Sequence, residues 1–337
     1  MEKLNVFSDE HNDALYQFLR ILFEKRLGWN LYRPIGFEWF RNLIWQYSKD
    51  LRVVQQYLIP PDDAEVKDGI YYIKERRHNE VDKCITLEKF KEMKIDLVIG
   101  SVVNHEVSFA TISKLHWNKP KFIRVIGNWG EPIDFEYSKN IMATAKTVPI
   151  PPGINVVFCH QEFDLNLFNY KPPVVRNSIK NFMNCLPDSK DFPMWHQYKA
   201  LLPEFDWKMH GILGEDGIIG NVNDMVPAIQ NSTFVWHVKY GGDGFGHVVH
   251  NAYACGRPLI TKRSYYADKL AGELMIDGET CIDLEKHTTE ENVKLIREFS
   301  QPEKHNQMCE NAYRRFKEVV DYDEEFLRIK KFLENLI

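Results

Sequence analysis

Along the chain the hydrophobic positions alternate between short continuous runs and stretches with helical spacing. Residues 3–7 (KLNVF) predict a short buried strand. Leu15, Phe18, Leu19, Leu22 and Phe23 then recur every three or four positions, which predicts a helix over about 12–27 with Gly28 as its stop. A strand over 70–74 and a helix over 86–93 continue the rhythm. Three further runs, 96–101 (DLVIGS), 122–127 (FIRVIG) and 155–160 (NVVFCH), are nearly all apolar. Strands that read this way belong to a parallel sheet covered on both faces.

Pro172 and Pro173 mark a linker, after which a second series begins near Ser178. It runs through Trp195–Leu202 to the segment 207–212, a Gly-rich turn at 214–220 and a strand over 232–239 (STFVWHVK). A helix over about 247–254 and a strand over 258–261 follow. The tail from Asn292 to Ile337 is helical, with Phe326, Ile329, Leu333 and Leu336 on one stripe. The pattern predicts an α/β protein of two Rossmann-like, doubly wound domains with a C-terminal helical tail. The expected ranges are 1–171, 172–312 and 313–337. A length of 337 residues suits two domains.

Composition narrows the function classes. A net charge of -5 argues against bulk nucleic acid as the main partner. The short basic run 74–78 (KERRH) is diluted by Glu75, Glu80 and Asp82 and reads as a solvated surface. The six cysteines are widely spread and form no C-x-x-C pair, which fits reduced thiols and a cytoplasmic setting. No signal peptide is evident, and no apolar run approaches the ~20 residues of a membrane span. An aromatic cluster at 37–47 reads as packing or as a sugar-stacking platform.

The chemistry concentrates in residues 241–261, GGDGFGHVVHNAYACGRPLIT. A strand end, a Gly-rich loop and a helix start follow one another there. Glycines let the backbone approach a ligand closely. The first N–H groups of the helix after Gly246, with the helix macrodipole, favour an anion. A diphosphate is the natural guest, with Lys239 supplying a point charge beside it. The bland reading is a Gly-rich βα turn alone; the small-residue helix and Cys255-Gly256-Arg257-Pro258 that follow make the segment more specific.

This segment resembles the donor-site signature of retaining glycosyltransferases of the glycosyltransferase-B fold (group 1, or family 4-like). In that family a Glu precedes Gly-Phe-Gly, and a second Glu follows after seven residues in a helix ending Ala-x-Gly-x-Pro. Here Asp243 and Asn251 stand at those positions, around Gly244, Phe245, Gly246 and His247. Asp keeps the charge with a shorter reach, and Asn keeps hydrogen bonding without it. The resemblance implies two domains facing across a cleft. The C-terminal one would hold a nucleotide diphosphate-sugar and the N-terminal one the acceptor. Asp243 would lie near the sugar and Asn251 at the ribose. Lys190 falls where the family has a donor-phosphate lysine, and His11 and His105 fall in loops that line the acceptor side.

The expected activity is therefore transfer of a hexosyl or pentosyl group with retention. The acceptor is open: a glycan, a small molecule or a modified DNA base. No cofactor or metal is expected beyond the nucleotide-sugar co-substrate. An epimerase of the same fold and a degenerate, non-catalytic sugar-nucleotide-binding protein are the alternatives. Bland roles stand beside the sharp ones: helix capping for His11 and His247, a polar loop for His160, core packing for His250, and a solvated side chain for Lys190.

Overall fold

The computed structural model describes residues 2–8, 12–36, 62, 64–75, 77–100, 113, 116–127, 133–145, 149–175 and 177–337. The chain divides into two compact units, residues 1–163 with 323–337, and residues 164–322.

The first unit opens with β1 (Asn5–Ser8) and α1 (Asp13–Arg20). The Asn12 side chain caps α1 by accepting from the N–H groups of Ala14 and Leu15, at 3.1 and 3.2 Å. The predicted helix continues as a π-helical turn, Ile21–Arg26. Next come β2 (Asn30–Pro34), the β3 (Glu65–Lys67) and β4 (Ile70–Lys74) hairpin, β5 (Val81–Ile85) and α2 (Leu87–Glu92). The unit's strands are completed by β6 (Leu97–Gly100), β7 (Lys121–Ile126), β8 (Asn140–Ala143) and β9 (Asn155–Phe158). The strands lie in the order β3-β4-β5-β2-β1-β6-β7-β8-β9, and all neighbours from β5 to β9 pair in parallel. From β1 the chain builds outward to β2 and β5, then crosses back to β6. The switch point of the winding, where such sheets bind ligands, lies between β1 and β6. Leu97, Val98 and Ile99 in β6 are wholly buried, as a run covered on both faces requires. Lys74 is exposed, but Glu75 in the basic run is buried, so this stretch is not a uniformly solvated surface. Its carboxylate accepts from the backbone N–H groups of Arg77 and His78.

The second unit runs β10 (Ser178–Asn181), α3 (Phe192–Leu201), β11 (Asp206–Met209), α4 (Val222–Gln230), β12 (Phe234–Trp236), α5 (His247–Ala254), β13 (Leu259–Thr261) and β14 (Cys281–Asp283). Helices α6 (Thr289–Phe299) and α7 (Pro302–Val319) follow. The strand order is β11-β10-β12-β13-β14, all parallel, with the switch point between β10 and β12. Under this sheet Trp195, Trp207 and Trp236 pack edge to face, with Trp195 4.8 Å from Trp207 and 5.7 Å from Trp236 between ring centroids. Trp236 is the last residue of β12, so this aromatic core anchors the strand that leads into the Gly-rich loop. Residues ahead of β10 join the same unit: the Gln230 amide donates to Asn169 O at 2.9 Å and the Arg257 guanidinium to Lys171 O at 2.9 Å.

The last helix, α8 (Tyr322–Glu334), returns to the first unit. Ile329, Phe332 and Leu333 join the core formed by Val6, Leu19, Phe23 and Ile99, with Phe326 and Leu336 packed against it, as the apolar stripe of the tail predicts.

Candidate functional site

Strand β12 is shorter than the predicted 232–239, but its edge bonding continues one residue further. His237 donates its backbone N–H to Ile260 O at 2.9 Å, and its carbonyl accepts from Thr261 Oγ1 at 2.8 Å. Beyond it the backbone turns. Gly242 N–H donates to Lys239 O at 2.8 Å, closing a tight loop. Gly242 has φ +70°, and a Cβ there would lie 2.2 Å from Tyr265 O, so no other residue fits without moving the backbone.

This reversal brings Asp243 back over the strand it came from. Its Oδ2 accepts from His237 Nε2–H at 2.9 Å, and its Oδ1 pairs with the Lys239 ammonium. The three side chains grade outward: His237 is 1% exposed, Asp243 20% and Lys239 40%. Burial alone would push the Asp243 carboxyl up, yet the adjacent Lys239 charge and the His237 hydrogen bond hold it well below the usual carboxylate range. Asp243 is thus an anion at every ordinary working pH.

Gly246 is the N-cap of α5, with φ +81° and no side chain to satisfy the helix start. Phe245 stacks on His250 (4.0 Å, 11°) and meets His247 edge-on at 4.7 Å, which fixes the loop against the first turn. His250 is fully buried and its Nδ1–H donates to Gly246 O at 2.9 Å, a packing role. Asn251, one turn into the helix, carries a buried Oδ1 with no hydrogen-bond partner.

A second helix start reaches the same loop from β10. A turn through Cys185 and residues 186–188 leads to Lys190 and α3. The Lys190 ammonium sits 4.3 Å from the centroid of the Tyr240 ring, and Tyr240 meets Tyr265 edge-on at 5.8 Å. Asp191 accepts from Lys262 at 2.7 Å and from the Tyr265 hydroxyl at 3.2 Å, tying the start of α3 to the segment after β13. The site therefore gathers one fixed carboxylate, Lys190 and Lys239, and the N-termini of α3 and α5, which follow the strands flanking the switch point. Among the described residues no group of three or more His, Cys, Asp or Glu side chains could hold a metal ion. Such an arrangement can hold a diphosphate through backbone N–H groups and ammonium charges.

No protein-family model matches the chain, and no curated protein sequence matches it. Solved structures do. Anabaena Alr3699/HepE in complex with UDP superposes with a TM-score of 0.66 at 14% identity, covering 99% of this chain and 100% of that one. A glycosyltransferase from Rickettsia africae ESF-5 gives 0.64 at 11% identity, covering 99% of each chain. The pneumococcal O-GlcNAc transferase GtfA, in complex with UDP and GlcNAc, gives 0.61 at 10% identity, covering 100% of this chain and 99% of that one. The chain has the glycosyltransferase-B fold.

Within that fold the sequence-derived candidates divide into two groups. Lys239, Asp243, Gly244, Phe245, Gly246, His247 and Asn251 lie on one loop and helix start, and Lys190 joins them through Tyr240. His11 and His105, like the aromatic cluster 37–47, lie outside the described residues; the strands preceding the two histidines in sequence, β1 and β6, flank the first unit's switch point. His160 is buried and bonded to Glu325, in a structural tie rather than a polar loop.

Sequence reasoning missed His237, Tyr240 and Tyr265. His237 reads as one more position of a strand, and only the glycine reversal pairs it with Asp243. The available signal was a histidine directly after the apolar run Phe234–Trp236, ahead of the glycines. Five of the six cysteines are buried and all are free. Burial pushes the Cys255 thiol up to about 12. Among the described residues no helix is long and apolar enough to cross a membrane.

Proposed function

We propose that the chain is a glycosyltransferase that takes its sugar from a nucleoside diphosphate-sugar bound at the C-terminal edge of the second unit's sheet. The observation that carries this reading is Asp243, held as an anion between His237 and Lys239 at the mouth of the uncapped helix α5. The fold likeness supports it: HepE has been solved with UDP, with UDP and glucose, and with UDP-glucose.

In this reading the bond between the anomeric carbon and the diphosphate oxygen breaks as negative charge builds on the leaving group. Lys239, Lys190 and the backbone N–H groups around Gly244, Phe245, Gly246 and His247 meet that charge, which is where preorganised electrostatics gain most. Asp243 orients the sugar hydroxyls and Asn251 contacts the ribose. The first unit offers the acceptor, with His11 and His105 on its side, and transfer retains the anomeric configuration. The acceptor class stays a glycan, a small molecule or a modified nucleobase. The diphosphate is served by lysines and helix N-termini without a metal. The solved structures named above include transferases and no epimerase, so the epimerase reading is not favoured.

A panel of nucleotides and nucleotide sugars tests the proposal. The chain should bind one nucleoside diphosphate and slowly release it from the matching donor. Binding of no member of the panel would overturn the reading, and binding without release from any donor would favour the degenerate, non-catalytic alternative.

A further inference from the structure

We infer that His237 is a positioning residue that fixes the Asp243 carboxylate for the donor sugar. The inference rests on the donor-site reading above and goes beyond it, because His237 lies in the strand outside the Gly-rich loop.

The geometry separates the two partners of Asp243. His237 is 1% exposed, and its backbone N–H and carbonyl are both held by β13, through Ile260 O at 2.9 Å and Thr261 Oγ1 at 2.8 Å. Its ring lies 5.9 Å from the fully buried ring of Tyr266. The imidazole therefore has one orientation, and its Nε2–H defines where Asp243 Oδ2 must sit, 2.9 Å away. Its other nitrogen, Nδ1, is buried without a hydrogen-bond partner, so the ring's polar contact is directed to Asp243. Lys239 is the opposite case. It is 40% exposed on a flexible stem, and a diphosphate arriving at α5 competes for its ammonium.

When Lys239 turns to the diphosphate, Oδ1 of Asp243 is released towards the ligand while Oδ2 stays on His237. A short aspartate would otherwise redistribute among its staggered rotamers. The histidine keeps the free oxygen aimed at the sugar, and a hydrogen bond to an ionised group is among the stronger ways to do so. His237 touches neither sugar nor diphosphate in this scheme. It acts through Asp243.

The test uses the full chain with His237→Leu and His237→Gln, the latter because a glutamine amide can replace the Nε2–H donor. UDP binding is measured by calorimetry, and turnover as UDP release from UDP-glucose or from the panel member that the wild type uses. His237→Leu should keep the UDP affinity within about twofold and lose roughly tenfold to a hundredfold in kcat, with KM for the donor nearly unchanged. His237→Gln should recover most of that loss. In proton NMR the wild type should show a hydrogen-bonded imidazole N–H that disappears in Asp243→Ala. Wild-type kcat in His237→Leu, or a UDP affinity that falls in step with kcat, would overturn the positioning role. A chain that shows the imidazole proton yet binds no nucleotide would instead remove the donor-site reading, and the positioning role with it.

Discussion

His160 and Glu325, 165 residues apart in sequence, are joined twice: the His160 backbone N–H donates to Glu325 Oε2 at 2.7 Å and its Nδ1–H to Oε1 at 2.6 Å. Both side chains are 6% exposed. The pair fastens α8 into the first unit beside Ile329 and Leu333, so the last residues of the chain complete a core begun by its first strand.

Removing the carboxylate leaves two buried donors unsatisfied. Glu325→Ala is expected to lower stability by about 2–4 kcal/mol, and Glu325→Gln by less, because the amide oxygen still accepts one bond. Chemical denaturation measures both. An unchanged midpoint in Glu325→Ala would show that apolar packing alone holds the helix.

The glycines of the loop are not equivalent. Gly242→Ala puts a Cβ 2.2 Å from Tyr265 O at φ +70°, against backbone that cannot yield cheaply. Gly246→Ala meets side chains alone, the Ala271 Cβ at 3.2 Å and Val249 atoms at 3.5 and 3.6 Å, at φ +81°. The second should cost about the 1–2 kcal/mol of a left-handed alanine, and the first clearly more, with displacement of Asp243 and loss of nucleotide binding. Thermal melts and titration of the nucleoside diphosphate found in the panel compare them. Equal effects would mean that the loop relaxes freely.

Much of this was legible in the pattern of residues. The apolar runs at 96–101 and 122–127 became β6 and β7, and the glycines before His247 became the start of α5, because burial and positive φ leave direct marks on sequence. The β3-β4 hairpin pairing, the π-helical turn after Arg20 and the return of α8 left no comparable mark. A stripe of Phe326, Ile329 and Leu333 states that a helix buries one face, not which unit receives it. The His237–Asp243 contact needs the reversed backbone at Gly242 before the two residues can meet.

Asp243→Ala and Lys239→Ala should each lower turnover about a hundredfold, or about 2.7 kcal/mol of transition-state stabilisation. Steady-state kinetics with the donor found in the panel measure this. Unchanged turnover in both variants would remove the donor site from 241–251.

The ionisation of Asp243 adds a stability signature. Burial pushes its carboxyl up, but Lys239 and His237 more than offset this, so the folded chain releases the proton more readily than the unfolded one. The stabilisation is complete above the ordinary aspartate value of about 3.9 and is lost as pH falls from there through the folded value. The stability gap between wild type and Asp243→Asn should therefore be constant from neutrality to about pH 5 and narrow below it. A gap that widens on acidification would contradict the sign of the shift.

Activity is expected to survive exhaustive chelation, because Lys190, Lys239 and the N-termini of α3 and α5 are proposed to meet the charge of the diphosphate. Loss of turnover with chelator, restored by a divalent ion, would replace that account of the leaving group.

Division of labour between the units is the central claim, and calorimetric titration of the nucleoside diphosphate found in the panel into four single variants of the full chain tests it most directly. Lys239→Ala and Asn251→Ala should weaken binding by about tenfold or more, while His11→Ala and His105→Ala leave it nearly unchanged. Loss of nucleotide binding in the two histidine variants, with wild-type affinity in Lys239→Ala and Asn251→Ala, would place the nucleotide in the first unit and contradict the account.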